Sequence, residues 1–200
     1  MNMKKIVIDT LKLVVITLVA GLLLSVVYQL TKDTIAAAEA QELTDSYSAV
    51  MANASEFVEI EVTETPGFDD DTSLNTALYA YGEDSSEIGV VLSITSHKGY
   101  GGDIDITIGI DTDGVITGIV VTSMSETSGL GANCQNEEWI SQYIGKSGEV
   151  IYTKTGATAD NEIDAISGAT KTTRAITNAV NSALDFAYEY FGYGEGGENS

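Results

Sequence analysis

The first pattern along the chain is a run with almost no polar positions. From Leu13 to Leu30 apolar residues point in every direction of a helix, and no charge falls between Lys12 and Lys32. Such a run is long enough to cross ~30 Å of hydrocarbon, and Tyr28 near its far end suits an interfacial aromatic belt. Three lysines, Lys4, Lys5 and Lys12, precede it and only Lys32 follows closely. Cytoplasmic flanks are enriched in such cations. The expectation is therefore a single-pass anchor at the cell membrane, with a cytoplasmic N-terminus (1–12), a transmembrane segment (13–30) and the remainder on the outer face. A cleaved signal peptide competes, because Ala36 to Ala40 offers small residues for cleavage. The run exceeds the usual ~7–15 residues of a signal core, and that cleavage pattern lies well beyond its end. A buried core helix is the third reading, disfavoured by the all-round apolar character.

Beyond residue 30 the pattern changes period. Residues 31–52, rich in Ala, Glu and Gln, predict a helix leaving the membrane. Thr63 to Asn75 gathers the only proline with acidic and turn-forming residues, which predicts a loop. Three runs have strand composition: Ile88–Thr95, Asp103–Ile110 and Val115–Ser123. The second alternates strictly, and Asp111–Gly114 between the last two is a hairpin signal. Asn136–Gly145 predicts a short helix and Glu149–Lys154 a further strand. Thr172–Tyr190 places Ile176, Ala179, Val180, Ala183, Leu184 and Ala187 on one helical face, with Asn178, Asn181 and Asp185 opposite. The expected class is α+β: an antiparallel sheet with packed helices, preceded by one transmembrane helix. The segments are then a helical stalk and loop (31–75), a globular domain (76–191) and a polar, glycine-rich, disordered tail (192–200).

Charge sharpens this picture. The net charge is −21, and since Met1 to Ile35 carries +2, everything after it sums to −23. A body so acidic repels phosphate backbones, which excludes nucleic acid as a partner and favours cations or basic surfaces. Cys134 is the only cysteine, so no intramolecular disulfide forms; it reads as a small buried thiol. Asp69–Asp71 lacks calcium-loop spacing and reads as a solvated acidic loop. His97 has no second histidine with which to share a metal. There is no CxxC, no GxGxxG and no Ser-His-Asp set in a recognisable context, so no metal site and no catalytic residue are expected.

Candidate chemistry lies in Asp164–Ala175, "DAISGATKTTRA". Small residues leading into a helix leave backbone N–H groups open to an anion, the requirement of a phosphate site. The alternative is that Thr170, Thr172 or Thr173 caps the helix. A near copy, Thr155-Gly156-Ala157-Thr158, runs into acidic residues with no amphipathic helix after it. It reads as a strand-to-loop turn.

Asp164–Thr170 followed by Lys171-Thr172-Thr173 resembles the flavinylation motif of the FMN-binding domain family, found in the G subunit of the Rnf electron-transport complex and in the C subunit of sodium-pumping NADH:quinone oxidoreductase. Lys98–Asp111 resembles the family's Gly-Tyr-Gly-Gly strand, and Glu126–Cys134 its Glu-Thr-Pro-Gly-Leu-Gly loop, with Ser128 in place of proline and Met124 where many members have histidine. Three motifs in the same order, after an N-terminal anchor, cover nearly the whole chain. The resemblance implies FMN attached through a phosphoester to Thr170 by a dedicated flavin transferase. Ser167, Gly168, Ala169, Lys171, Thr172 and Thr173 would surround the attachment, with Lys171 and Arg174 candidates to pair with the phosphate. Gly129, Leu130 and Gly131 would approach the flavin ring, and Glu126 and Thr127 would bond its edge. It further implies an electron-carrying flavoprotein subunit of a translocating oxidoreductase, an Rnf-type ferredoxin:NAD enzyme coupled to Na+ or H+ translocation whose other membrane subunits are its partners. The competing expectations are a stand-alone anchored flavoprotein, the C subunit of the quinone reductase, and a non-redox binding module.

Overall fold

β-branched residues at alternating positions build a five-stranded sheet whose strands follow in sequence order, each antiparallel to the next: β1 (Glu56–Glu59), β2 (Thr72–Tyr81), β3 (Glu87–Ser96), β4 (Ile104–Asp111) and β5 (Ile116–Met124). A computed structural model of the chain describes residues 3–194. Its described residues divide into two compact units, with the division between Leu43 and Thr44.

The first unit is the body of α1 (Met3–Val50). Its stretch Ile8–Lys32 has a mean hydropathy of 2.4 and an exposed surface. It is long and apolar enough to cross a membrane.

In the second unit the centre of the sheet is β3, buried along almost its whole length. β4 and β5 form the expected hairpin, closed by Asp111, whose Oδ1 accepts the N–H groups of Asp113 at 3.0 Å and Val115 at 2.9 Å. Two strands of this sheet lie where none is expected. β2 begins at Thr72, inside the predicted loop, and β1 precedes it, so the sheet starts upstream of residue 76. Both have weak local signals. β2 carries Asn75 and two alanines and is broken by a bulge between Leu74 and Thr76, while β1 is four mostly exposed residues that gain order only by pairing with β2. A separate parallel pair, β6 (Ile151–Thr153) and β7 (Glu162–Asp164), carries the chain toward the last helix; β7 also lies where no strand is expected.

One face of the sheet is covered by α3 (Thr170–Phe191). Ile176, Ala179, Val180 and Ala183 on the expected apolar face are wholly buried, and Ser96 Oγ donates to the carbonyl of Ala175 at 2.9 Å. Asn181, expected on the polar face, instead pairs twice with the backbone of Val150, accepting from its N–H at 2.9 Å and donating to its carbonyl at 3.0 Å. The helix ends at Gly192 with φ +73°, a left-handed position suited to glycine. Tyr193 then folds back: its N–H meets the carbonyl of Ala187 at 3.2 Å, its ring is buried and its hydroxyl donates to the Glu87 carboxylate. Gly192 and Tyr193, placed in the expected disordered tail, are thus bonded to the domain; residues 195–200 of that expectation lie outside the described ones. On the opposite face Val50, Met51, Leu78, Ala80 and Val91 form a smaller core. There Gly118 leaves room for Val50, whose Cα would lie 2.6 Å from a Cβ at that position.

Candidate functional site

The segment between β7 and α3 is gripped at both backbone groups of Asp164. The Trp139 indole Nε1 donates to its carbonyl at 2.7 Å, and its N–H donates to Gln142 Oε1 at 2.7 Å. Trp139 and Gln142 lie in and just after α2 (Glu137–Ile140). Trp139 therefore does more than pack; it fixes where the approach to α3 begins. The N–H of Ala169 meets the carbonyl of Ile166 at 2.9 Å, closing a tight turn with Gly168 at φ +76°. This third position of such a turn demands a positive φ.

α3 starts at Thr170 with Ala169 as its N-cap residue, and no side chain caps it. The capping role considered for Thr170, Thr172 or Thr173 falls to none of them. Thr173 is wholly buried; its Oγ1 accepts the N–H of Ile166 at 3.0 Å and donates to the carbonyl of Ala169 at 3.2 Å, so it serves the turn beneath. Thr172 Oγ1 donates to Glu126 Oε2 at 2.9 Å. Thr170 is half-buried and takes part in neither set of bonds. A first helical turn without a cap presents positive potential and free donors to an anion.

Beside this turn lies a cavity of about 330 Å³. The loop after β5 contributes Glu126, Thr127, Leu130 and Gly131, the turn after β3 contributes Tyr100, and the start of α3 contributes Gly168, Ala169, Lys171 and Thr172. Eight of the expected site residues therefore share one wall system. Thr170 stands between two lining residues, while Ser167, Gly129, Thr173 and Arg174 are not part of the lining. The residue type of Tyr100 does not single it out, though glycines on both sides mark a place where backbone and ligand come close. Its ring is 70% exposed, and the ammonium of Lys171 sits 5.7 Å from the ring centroid, a cation–π distance.

Glu126 joins all three segments. Its Oε1 accepts the N–H groups of Tyr100 at 2.6 Å and Gly101 at 3.1 Å, and its Oε2 accepts from Thr172. The carboxylate expected to meet a flavin edge is thus engaged with three protein donors. Gly131 must lack a Cβ, which would collide with Glu126 Oε2 and lie 2.7 Å from Thr172 Oγ1. Behind the loop, Cys134 is buried with its thiol 3.4 Å from the Met124 sulfur. Burial, and then the Glu126 charge, push that thiol up to about 11.

The upstream copy has a different fate. Thr158 is held by Glu162, whose Oε2 accepts its N–H at 2.8 Å and its hydroxyl at 3.2 Å. Those bonds hold the Glu162 carboxyl below its ordinary range. A Ser-His-Asp series that no sequence spacing announces forms on the sheet: Ser73 Oγ and Asp103 Oδ1 each lie 3.1 Å from a ring nitrogen of His97. The His97 and Asp103 side chains are 40% and 62% exposed, so water competes for each bond. Asp69–Asp71 forms a turn, with Asp69 Oδ1 accepting the N–H of Asp71 and Asp71 paired to Lys98 at 2.9 Å. Among the described residues no cluster of His, Cys, Asp and Glu is arranged to hold a metal.

Residues 99–185 match the model of the FMN-binding domain family, and residues 1–50 match the family described as the RnfG N-terminal region. The chain is 30% identical over 180 residues to the G subunit of the Na(+)-translocating ferredoxin:NAD(+) oxidoreductase complex of Acetobacterium woodii, covering 86% of each chain. It is 32% identical over 178 residues to the G subunit of the ion-translocating oxidoreductase complex of Methanosarcina acetivorans, covering 87% of this chain and 90% of that one. Its fold is similar to the crystal structure of Shewanella oneidensis NqrC, with a TM-score of 0.51 at 20% identity over 71% of each chain. The cavity at the start of α3 lies within an FMN-binding domain, and the chain belongs to the family of G subunits of ion-translocating oxidoreductase complexes.

Proposed function

We propose that this protein is the membrane-anchored electron-carrying subunit of an ion-translocating ferredoxin:NAD oxidoreductase complex, with FMN joined to Thr170 through a phosphoester. The reading rests above all on one observation: α3 begins at Thr170 with no side-chain cap on its first turn, beside a cavity of about 330 Å³. That volume is at the small end of those that hold organic ligands.

The residues present suit the group. A phosphodiester keeps a negative charge, which an uncapped helix start stabilises by roughly 0.3–1 kcal/mol when partly exposed. Lys171 adds a cation at the cavity wall, and the Tyr100 ring and Leu130 side chain offer apolar surface to a planar ring. Gly131 keeps one wall low where a side chain would collide with Glu126. Bound there, FMN supplies one- and two-electron transfer. The chain's own part is to hold the phosphate, orient the ring, exclude water from one side of it and set its electrostatic surroundings.

Other membrane subunits of the complex are the electron donors and acceptors in this reading, and a flavin transferase makes the ester bond. The lysines before the apolar stretch of α1 favour a cytoplasmic N-terminus and an outward-facing FMN domain. Thr158 lacks the helix start that Thr170 has, and the Glu162 carboxylate beside it opposes the approach of a phosphate. The test is flavin fluorescence in a denaturing gel of protein co-produced with a flavin transferase. The parent and Thr158→Ala proteins are expected to fluoresce and Thr170→Ala to be dark. A dark parent band contradicts the reading.

A further inference from the structure

Glu126 is a carboxylate without a cation. Among the described residues it forms no ion pair, and the nearby Lys171 ammonium lies over the Tyr100 ring. Three neutral protein donors fix it instead, and it lines the cavity. Hydrogen bonds hold a charge in place without cancelling it, so its field persists at the site, where the protein walls screen it less than bulk water would.

Resting on the FMN reading above, we propose that Glu126 is a positioning residue with a second role: it brackets the three walls of the cavity, and its fixed charge lowers the reduction potential of the flavin they hold. Reduction at neutral pH takes up two electrons and one proton, so the reduced ring system carries one negative charge more than the oxidised one. A neighbouring carboxylate opposes that added charge. The three bonds restrain the carboxylate from turning away from it: withdrawal would exchange two backbone N–H bonds for water and leave the hydroxyl of the buried Thr172 without its acceptor.

Glu126→Gln separates the two roles. The amide oxygen can still accept from Tyr100 and Gly101, and the amide N–H₂ can donate to Thr172 Oγ1, so the bracket survives while the charge is lost. Intact mass first establishes an FMN adduct on parent and variant; its absence from the parent overturns the covalent reading and this inference with it. Dithionite titration of the loaded proteins then reads the midpoint potential. The expected result is a higher potential in Glu126→Gln than in the parent, with Glu126→Asp, which keeps the charge, closer to the parent, and a gap that narrows with added salt. An unchanged or lower potential in a flavin-loaded Glu126→Gln overturns the inference and leaves the reading standing. If that variant does not fold, Glu126→Ala decides: it removes the charge and leaves the donors to water, and an unchanged or lower potential in the flavin-loaded Glu126→Ala protein overturns the inference.

Discussion

Thr172 Oγ1 lies 2.9 Å from Glu126 Oε2, and that hydrogen bond ties the first turn of α3 to the loop after β5 across the position of Gly131. The three residues fit only because the glycine adds nothing between the other two. Gly131→Ala is therefore expected to push Glu126 and Thr172 apart, at a cost of about 1–3 kcal/mol as an overpacking change next to a half-buried bond. Chemical denaturation of the two proteins measures this. Flavin loading should fall with it, since the same displacement opens the wall of the cavity.

A second fixed point lies midway along α3. Asn181 makes two bonds to the Val150 backbone, and Asn181→Leu would leave a backbone N–H and carbonyl of a buried residue unpaired. The expected loss is about 1–3 kcal/mol, visible as a lower urea midpoint. Asn178→Leu, on the exposed part of the same helix, is the control and should change the midpoint little.

Both pairs mark what is legible in the residues and what is not. Periodicity finds the buried face of α3 because one helix carries its own 3.6-residue record, and the resemblance of Asp164–Thr173 and Glu126–Gly131 to family motifs brings the two sides of the cavity together. The Asn181–Val150 and Glu126–Thr172 pairs join positions far apart in the chain, so no local pattern announces them. β1 and β2 escape for the same reason: their order comes from pairing with each other and with β3 rather than from alternation of their own. A capping threonine is a sound expectation from composition, but Thr173 and Thr172 are drawn away by Ile166 and Glu126.

Cys134 should be inert in the folded protein. Its thiol is pushed up to about 11 by burial and by Glu126, so at pH 8 the reactive thiolate is on the order of one part in a thousand. Reaction with a disulfide reagent is expected to be slow in buffer and fast in denaturing urea. Rapid labelling of the native protein would place the thiol at the surface.

Asp185 gives a pH signature. Desolvation by burial, followed by the charges of Glu189 and Glu149, holds its carboxyl above the ordinary range. A carboxyl raised on folding binds its proton more tightly in the folded state, so the contribution to stability is present below about pH 3.9 and is lost as pH rises through the folded value. Asp185→Asn should therefore raise the melting temperature at pH 7, by about 1–2 °C because solvent screens the site. The gain should shrink as pH falls into the carboxylate range. An equal gain at both ends would rule out this origin.

The most direct test of the covalent assignment is peptide mapping by mass spectrometry of protein co-produced with a flavin transferase. The expected result is an FMN-sized adduct on the peptide holding Thr170, absent from Thr170→Ala and retained in Thr158→Ala. An adduct on the Thr158 peptide, or none on either, would contradict it.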